Sequence, residues 1–186
     1  FPDRFENGSR ENDPVGTETW DAKPSYRSRM GGDFAGIRSK LGYLYELGIN
    51  SIYLNPIFAS PSNHRYDTDD YRKVASDLGT NQEFDSLVKE MKAKSMKVVL
   101  DFAFNHTSVN HFAFKDLREN GEKSPYRNWY TVRSFPIKVQ NPPNYHAWAN
   151  FPAMPKLRVT EPEVQRELLD VSRFWLDKGI DGMRLD

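Results

Sequence analysis

No cysteine occurs in the 186 residues, so the chain has no disulfide framework, no thiolate metal site and no cysteine nucleophile. Neither sign of charge prevails, since 26 basic side chains balance 26 acidic ones. That balance, without any concentrated Lys/Arg tract, argues against a nucleic-acid partner. No apolar run reaches the length of a membrane span or a signal-peptide core, which argues against a membrane partner. The sequence opens on Phe1 rather than Met, so any leader or preceding domain is expected to lie outside it. What remains is an ordinary globular composition, sized for one domain with an insertion. Aromatics are plentiful at 13%, and their flat faces serve sugars as readily as they fill cores.

The segment Gly179-Ile180-Asp181-Gly182-Met183-Arg184-Leu185-Asp186 alternates apolar and polar residues and reads as a short strand. Arg184 and Asp186 are two apart, so on a strand they share a face. A guanidinium beside a carboxylate favours its ionised form, which a displacement at a sugar carbon requires. Taken alone, the pair reads equally as an ion pair at a strand edge.

Further elements are legible upstream. Phe1–Phe5 reads as the tail of a strand, and residues 6–33 as a loop. Phe34, Ile37, Leu41, Leu44 and Leu47 keep helical spacing, with Gly48 as the stop. Ser51–Leu54 predicts a buried strand closed by Asn55-Pro56. A loop is expected from Asn55 to about Thr80, then a helix carrying Phe84, Leu87, Val88 and Met91, then a strand over Lys97–Phe102. Residues 103–158 hold no long periodic segment but several prolines, and read as an irregular inserted domain. Thr160 is the expected N-cap of a helix whose apolar face is Val164, Leu168, Val171 and Trp175.

Strand and helix alternate, so the predicted class is α/β, a partial (β/α)8 barrel of about four βα units. The divisions are 1–102 for the first part of the barrel, 103–158 for the insertion, and 159–186 for the barrel's continuation. Successive strands end on Asn55, Asp101 and Asp186, and His106 follows five residues after Asp101. In a parallel barrel such strand ends converge on the face that carries chemistry.

These segments resemble the signatures of the α-amylase family. Asp101-Phe102-Ala103-Phe104-Asn105-His106 is similar to one signature, and Gly182-Met183-Arg184-Leu185-Asp186 to another. Gly31–Ile37, Asn55–Phe58 and Tyr66-Asp67 are similar to further segments, in order along nearly the whole chain. The resemblance implies a retaining glycoside hydrolase of α-glucans, with Asp186 as nucleophile and Arg184 orienting it. It implies substrate contacts from His106 and Tyr66 and support from Asp101, with His64 and Asp67 beside them. The family's acid/base Glu follows a later strand, so residues 1–186 alone are expected to be inactive. A family transglycosylase or isomerase, or a non-catalytic amylase-like protein, is the alternative.

Asn7–Asp13 offers hard oxygen donors on a loop, as calcium prefers. By resemblance to calcium loops of cyclodextrin glucanotransferases and neopullulanase-like enzymes, the implied ligands are Asn7, Ser9, Asn12, Asp13, the Gly31 carbonyl and Asp33. Ser9 stands where those relatives usually have Asp or Asn. Met154-Pro155-Lys156-Leu157 resembles the motif of the neopullulanase, cyclomaltodextrinase and maltogenic-amylase branch, although Arg158 replaces the usual Asn. That branch implies cyclodextrins, pullulan and short maltooligosaccharides as substrates. It also implies a cytoplasmic location and homodimerisation through a preceding β-sandwich domain.

Overall fold

The computed structural model describes residues 1–186. In chain order its elements are α1 (Phe34–Ser39), α2 (Leu41–Glu46), β1 (Ser51–Leu54), β2 (Phe58–Ala59), β3 (Asp70–Val74), α3 (Asn81–Ala93), β4 (Lys97–Phe102), α4 (Phe112–Asn120), α5 (Pro162–Asp177) and β5 (Gly182–Leu185). Three strands form one parallel sheet in the order β1-β4-β5, so the class is α/β as expected. Leu54 lies opposite Leu100, and Asp101 opposite Arg184. Parallel neighbours need crossovers, which α3 and α5 supply. On β4, Val98, Leu100 and Phe102 are wholly buried, as expected of a central strand covered on its faces.

The main core lies between this sheet and the helices. Phe84, Leu87 and Met91 of α3 meet Phe34 of α1, Phe102 of β4 and Trp175 of α5 in one apolar cluster. Trp175 is wholly buried, and its indole N–H donates to the Tyr71 carbonyl at 2.7 Å, so its one polar atom is satisfied. Helix α3 starts on a capping box. The Thr80 hydroxyl accepts from Glu83 N, and Glu83 accepts from Thr80 N. A second apolar cluster gathers Phe114 and Leu117 of α4 with Tyr130, Tyr145, Leu157 and Val164.

Several local expectations are corrected. Residues Pro2–Arg4 form a 3-10 turn rather than a strand tail, because the buried Asp3 carboxylate turns inward to accept from Met30 N and Gly31 N. The parallel sheet therefore has three strands where four were expected. The first helix is broken at Lys40 into α1 and α2. The loop from Asn55 contains the antiparallel pair β2–β3, whose short, irregular register carries no clear periodicity. The segment 103–158 contains α4, and α5 is capped at Glu161 without a side-chain bond, not at Thr160. The last strand is Gly182–Leu185, leaving Asp186 just beyond it.

Candidate active site

The site is built where β4 and β5 end. Asp101 has no exposed surface and collects donors from three elements. Arg184 Nη1 donates to both its oxygens at 3.0 and 2.8 Å, the Tyr66 hydroxyl donates at 2.6 Å, and the Tyr53 hydroxyl donates as well. A buried carboxylate held by a guanidinium and two hydroxyls is fully satisfied. Burial and the bonds to Asp101 push the Tyr53 and Tyr66 hydroxyls above the ordinary tyrosine range, so both stay protonated donors.

Arg184 also reaches forward. Its Nη2 lies 2.5 Å from Asp186 Oδ1, so one planar fork spans two carboxylates. The Asp186 backbone N–H donates to the Phe102 carbonyl at 3.0 Å, which extends the ladder one residue and fixes the start of its side chain. Asp186 itself stays open and lines a cleft of about 620 Å3 with His64, Tyr66, His106, Trp148, Phe151 and Met154. It is the one carboxylate in that lining.

His106 is buried. Its Nδ1 accepts from the Asn105 amide at 3.1 Å, which leaves the proton on Nε2. That Nε2 has no protein partner. Burial lowers the His106 pKa below the ordinary value, outweighing the opposite pull of the Tyr66 backbone, Asp67 and Asp186, so the ring is a neutral donor. His64 Nδ1 accepts from Tyr66 N at 3.2 Å, which orients its ring beside Tyr66. Asp67 is buried and accepts from Ser60 and Ser62, so it shapes the loop instead of facing the cleft. The same loop is pinned by Arg65, which adopts a left-handed φ of 60° and donates to Asp77 at 2.7 Å.

The residues at the N-terminal loop form a separate group. Asp33 accepts from Gly8 N, Ser9 N, Gly36 N and Asn12 Nδ2, and caps α1. Ser9 Oγ accepts from Glu11 N and is used locally. Asn7 donates its amide to Asp13 at 2.8 Å. The Asn7 and Asn12 amide oxygens are buried without any donor, and Gly31 lies so close that a Cβ there would stand 2.4 Å from Asp13 Oδ1. Orphaned amide oxygens beside a carboxylate fit a hard cation, which needs acceptors and no donors.

Comparison with known proteins decides the family. The model of the α-amylase catalytic domain matches residues 1–186. The chain belongs to the α-amylase family. It is 47% identical over 189 residues to neopullulanase 2 of Thermoactinomyces vulgaris, with all of this chain and 32% of that protein covered. It is 45% identical to a cyclomaltodextrinase of Thermoanaerobacter pseudethanolicus, covering all of this chain and 33% of that one. Among solved structures it is similar to the cyclic α-maltosyl-(1→6)-maltose hydrolase of Arthrobacter globiformis in complex with maltose, with TM-score 0.97 and 41% identity. That match covers all of this chain and 43% of the other. This α-amylase-family chain thus spans about a third of the length of the curated relatives it matches.

In this family member the tertiary fold brings Asp186, His106, Tyr66 and His64 to one cleft, with Arg184 and Asp101 behind them. Sequence reasoning passed over Tyr53, whose outward alternation on β1 hides its bond to Asp101. It also passed over Trp148 and Phe151 as cleft residues, since they sit in a proline-rich stretch without periodicity.

Proposed function

We propose that the protein carrying this chain is a retaining glycoside hydrolase acting on α-glucans: cyclodextrins, pullulan and maltooligosaccharides. One observation carries the reading: an open carboxylate, Asp186, is bridged by Arg184 to the buried, fully bonded Asp101. In this reading the Asp186 carboxylate attacks the anomeric carbon, a C–O ester bond forms, and the glycosidic C–O bond breaks. A general acid protonates the leaving oxygen, and water then cleaves the ester with net retention. The faces of Tyr66 and His64, with the His106 ring beside them in the cleft, suit a sugar's ring. The hydrolase names of the similar proteins support the same substrate class.

The parallel sheet is read here as part of a closed (β/α)8 barrel, with residues 103–158 as an inserted domain around the second apolar cluster. A two-carboxylate mechanism needs an acid besides Asp186, and the cleft offers none within residues 1–186, so this span alone is proposed to be inactive. Asn7, Asn12, Asp13 and the Gly31 carbonyl are proposed to hold a structural calcium. Asp33 joins them only through the lone pairs left by its bonds to Gly8 N, Ser9 N, Gly36 N and the Asn12 amide. A cytoplasmic location and a homodimer follow the branch resemblance.

The test is reducing-sugar release from β-cyclodextrin, pullulan and soluble starch by the protein in its full native length. Hydrolysis that disappears in Asp186→Asn supports the reading. Activity retained in that variant would overturn the role of Asp186. Longer or rearranged products in the presence of glucose would favour a transglycosylase or isomerase instead.

A further inference from the structure

The loop that carries His64 and Tyr66 alternates along its length. Asn63, Arg65 and Asp67 are buried, while His64 and Tyr66 stay half-buried and line the cleft. Arg65 sits between the two cleft residues and is only 1% exposed. Its Nη2 donates to Asp77 at 2.7 Å and its Nη1 to the Asn63 carbonyl at 2.8 Å. Asp77 lies in the turn between β3 and α3, and the same Oδ2 also accepts from Arg29 of the N-terminal loop. Arg29 in turn donates to the Pro61 carbonyl at 2.8 Å. One carboxylate oxygen thus joins two guanidiniums, and both of these also grip the backbone just before His64.

Stability does not explain this arrangement. A buried ion pair gains little over an apolar pair of the same size, because both charges lose their water. Arg65 Nε is buried without an acceptor, which adds to the cost. The backbone at Arg65 is left-handed at φ 60°, a conformation that a Cβ disfavours and that glycine takes freely. These unfavourable features coincide at one residue, and that residue separates His64 from Tyr66. The turn has a visible result. Tyr66 N donates back to His64 Nδ1 at 3.2 Å, and the two rings stand 6.0 Å apart at 33° in the wall of one cleft.

We propose that Arg65, held by Asp77 and Arg29, is a positioning residue that sets His64 and Tyr66 against the sugar at Asp186. It touches no substrate and acts through the loop backbone. The functional half of this inference rests on the α-glucan reading above, while the clamp itself does not.

The test uses the full-length protein. Arg65→Gly accepts the left-handed φ but removes the guanidinium, so it separates the clamp from backbone preference. Amide hydrogen exchange over residues 60–68 is expected to quicken about tenfold in this variant, with α3 and α5 unchanged. With maltohexaose as substrate, kcat is expected to fall about tenfold and KM to change less, since a misplaced sugar loses its alignment with Asp186. Arg65→Lys keeps a charge near Asp77 without the fork, and is expected to recover part of both losses. Asp77→Asn weakens the same joint from outside the loop. It is expected to move both readouts in the same direction, and it carries the test if Arg65→Gly fails to fold. Unaltered loop exchange in these variants would overturn the clamp. A loosened loop with kcat within about twofold of wild type would overturn the positioning role. Exchange that quickens equally in α3 and α5 would mark Arg65 as a packing residue and overturn that role as well. If the wild type hydrolyses no glucan while the loop still loosens in the variants, the α-glucan reading fails and the clamp stands.

Discussion

Asp101 and Arg184 occupy directly opposed positions on neighbouring parallel strands, and Arg184 Nη1 donates to both Asp101 oxygens at 3.0 and 2.8 Å. Register alone therefore places the guanidinium over a buried carboxylate and turns its other nitrogen toward Asp186. The pair ties one residue of the sheet's interior to the open end of the cleft.

Asp101→Ala is expected to cost about 2 kcal/mol of stability. Breaking a buried pair costs about 3–5 kcal/mol, and the half-exposed Arg184 side chain can recover some hydration. Urea unfolding measures it. An unchanged midpoint would mean that Asp101 is not the anchor described.

Arg184→Lys keeps the charge but loses the fork, so one ammonium cannot serve Asp101 and Asp186 together. Turnover by the full-length protein should fall about a hundredfold while the unfolding midpoint moves little. Parallel kcat and unfolding measurements separate the two effects. Wild-type turnover in this variant would remove the bridging role.

His111 is buried, and burial together with the nearby Arg72 charge lowers its pKa to about 4. Above about pH 6.5 it is neutral folded and unfolded, and its full contribution to stability is present. As pH falls from there toward 4 the unfolded chain takes up a proton that the folded chain refuses, so stability is lost by up to about 3 kcal/mol. His111→Phe should flatten the stability profile between those limits, whatever it does to the baseline. An equal slope in wild type and variant would rule His111 out as its source.

Calcium should raise the melting midpoint, and chelation should lower it. At a hundredfold excess over Kd the stabilisation is about 2.7 kcal/mol. In Asp13→Ala, which removes the carboxylate that holds the Asn7 amide, the midpoint should no longer respond. Equal responses in the two proteins would place the cation elsewhere.

Gly36→Ala should destabilise by about 3 kcal/mol, because a Cβ there would stand 1.9 Å from the Glu6 carbonyl oxygen. The contact is with backbone, which cannot rotate away. A thermal midpoint within a degree or so of wild type would show that the N-terminal loop does not press on α1.

The sequence by itself determined the α/β class, the strands at Ser51–Leu54 and Lys97–Phe102, and the apolar faces of α3 and α5. Those rest on local periodicity, which neighbours along the chain carry alone. It also named Asp186, Arg184 and His106 from their places at strand ends, and Tyr66 through the family resemblance. Tertiary structure decided the rest. Pro2–Arg4 coils because Asp3 finds partners 27 residues away, and α4 forms because Phe114 meets Tyr130 and Tyr145. Tyr53 joins Asp101 only through pairing of β1 with β4, and Trp148 reaches His106 only because the chain folds back to bridge His106 with Lys156. A local pattern records which face of an element is apolar, while only the closed fold records which distant side chain that face will meet.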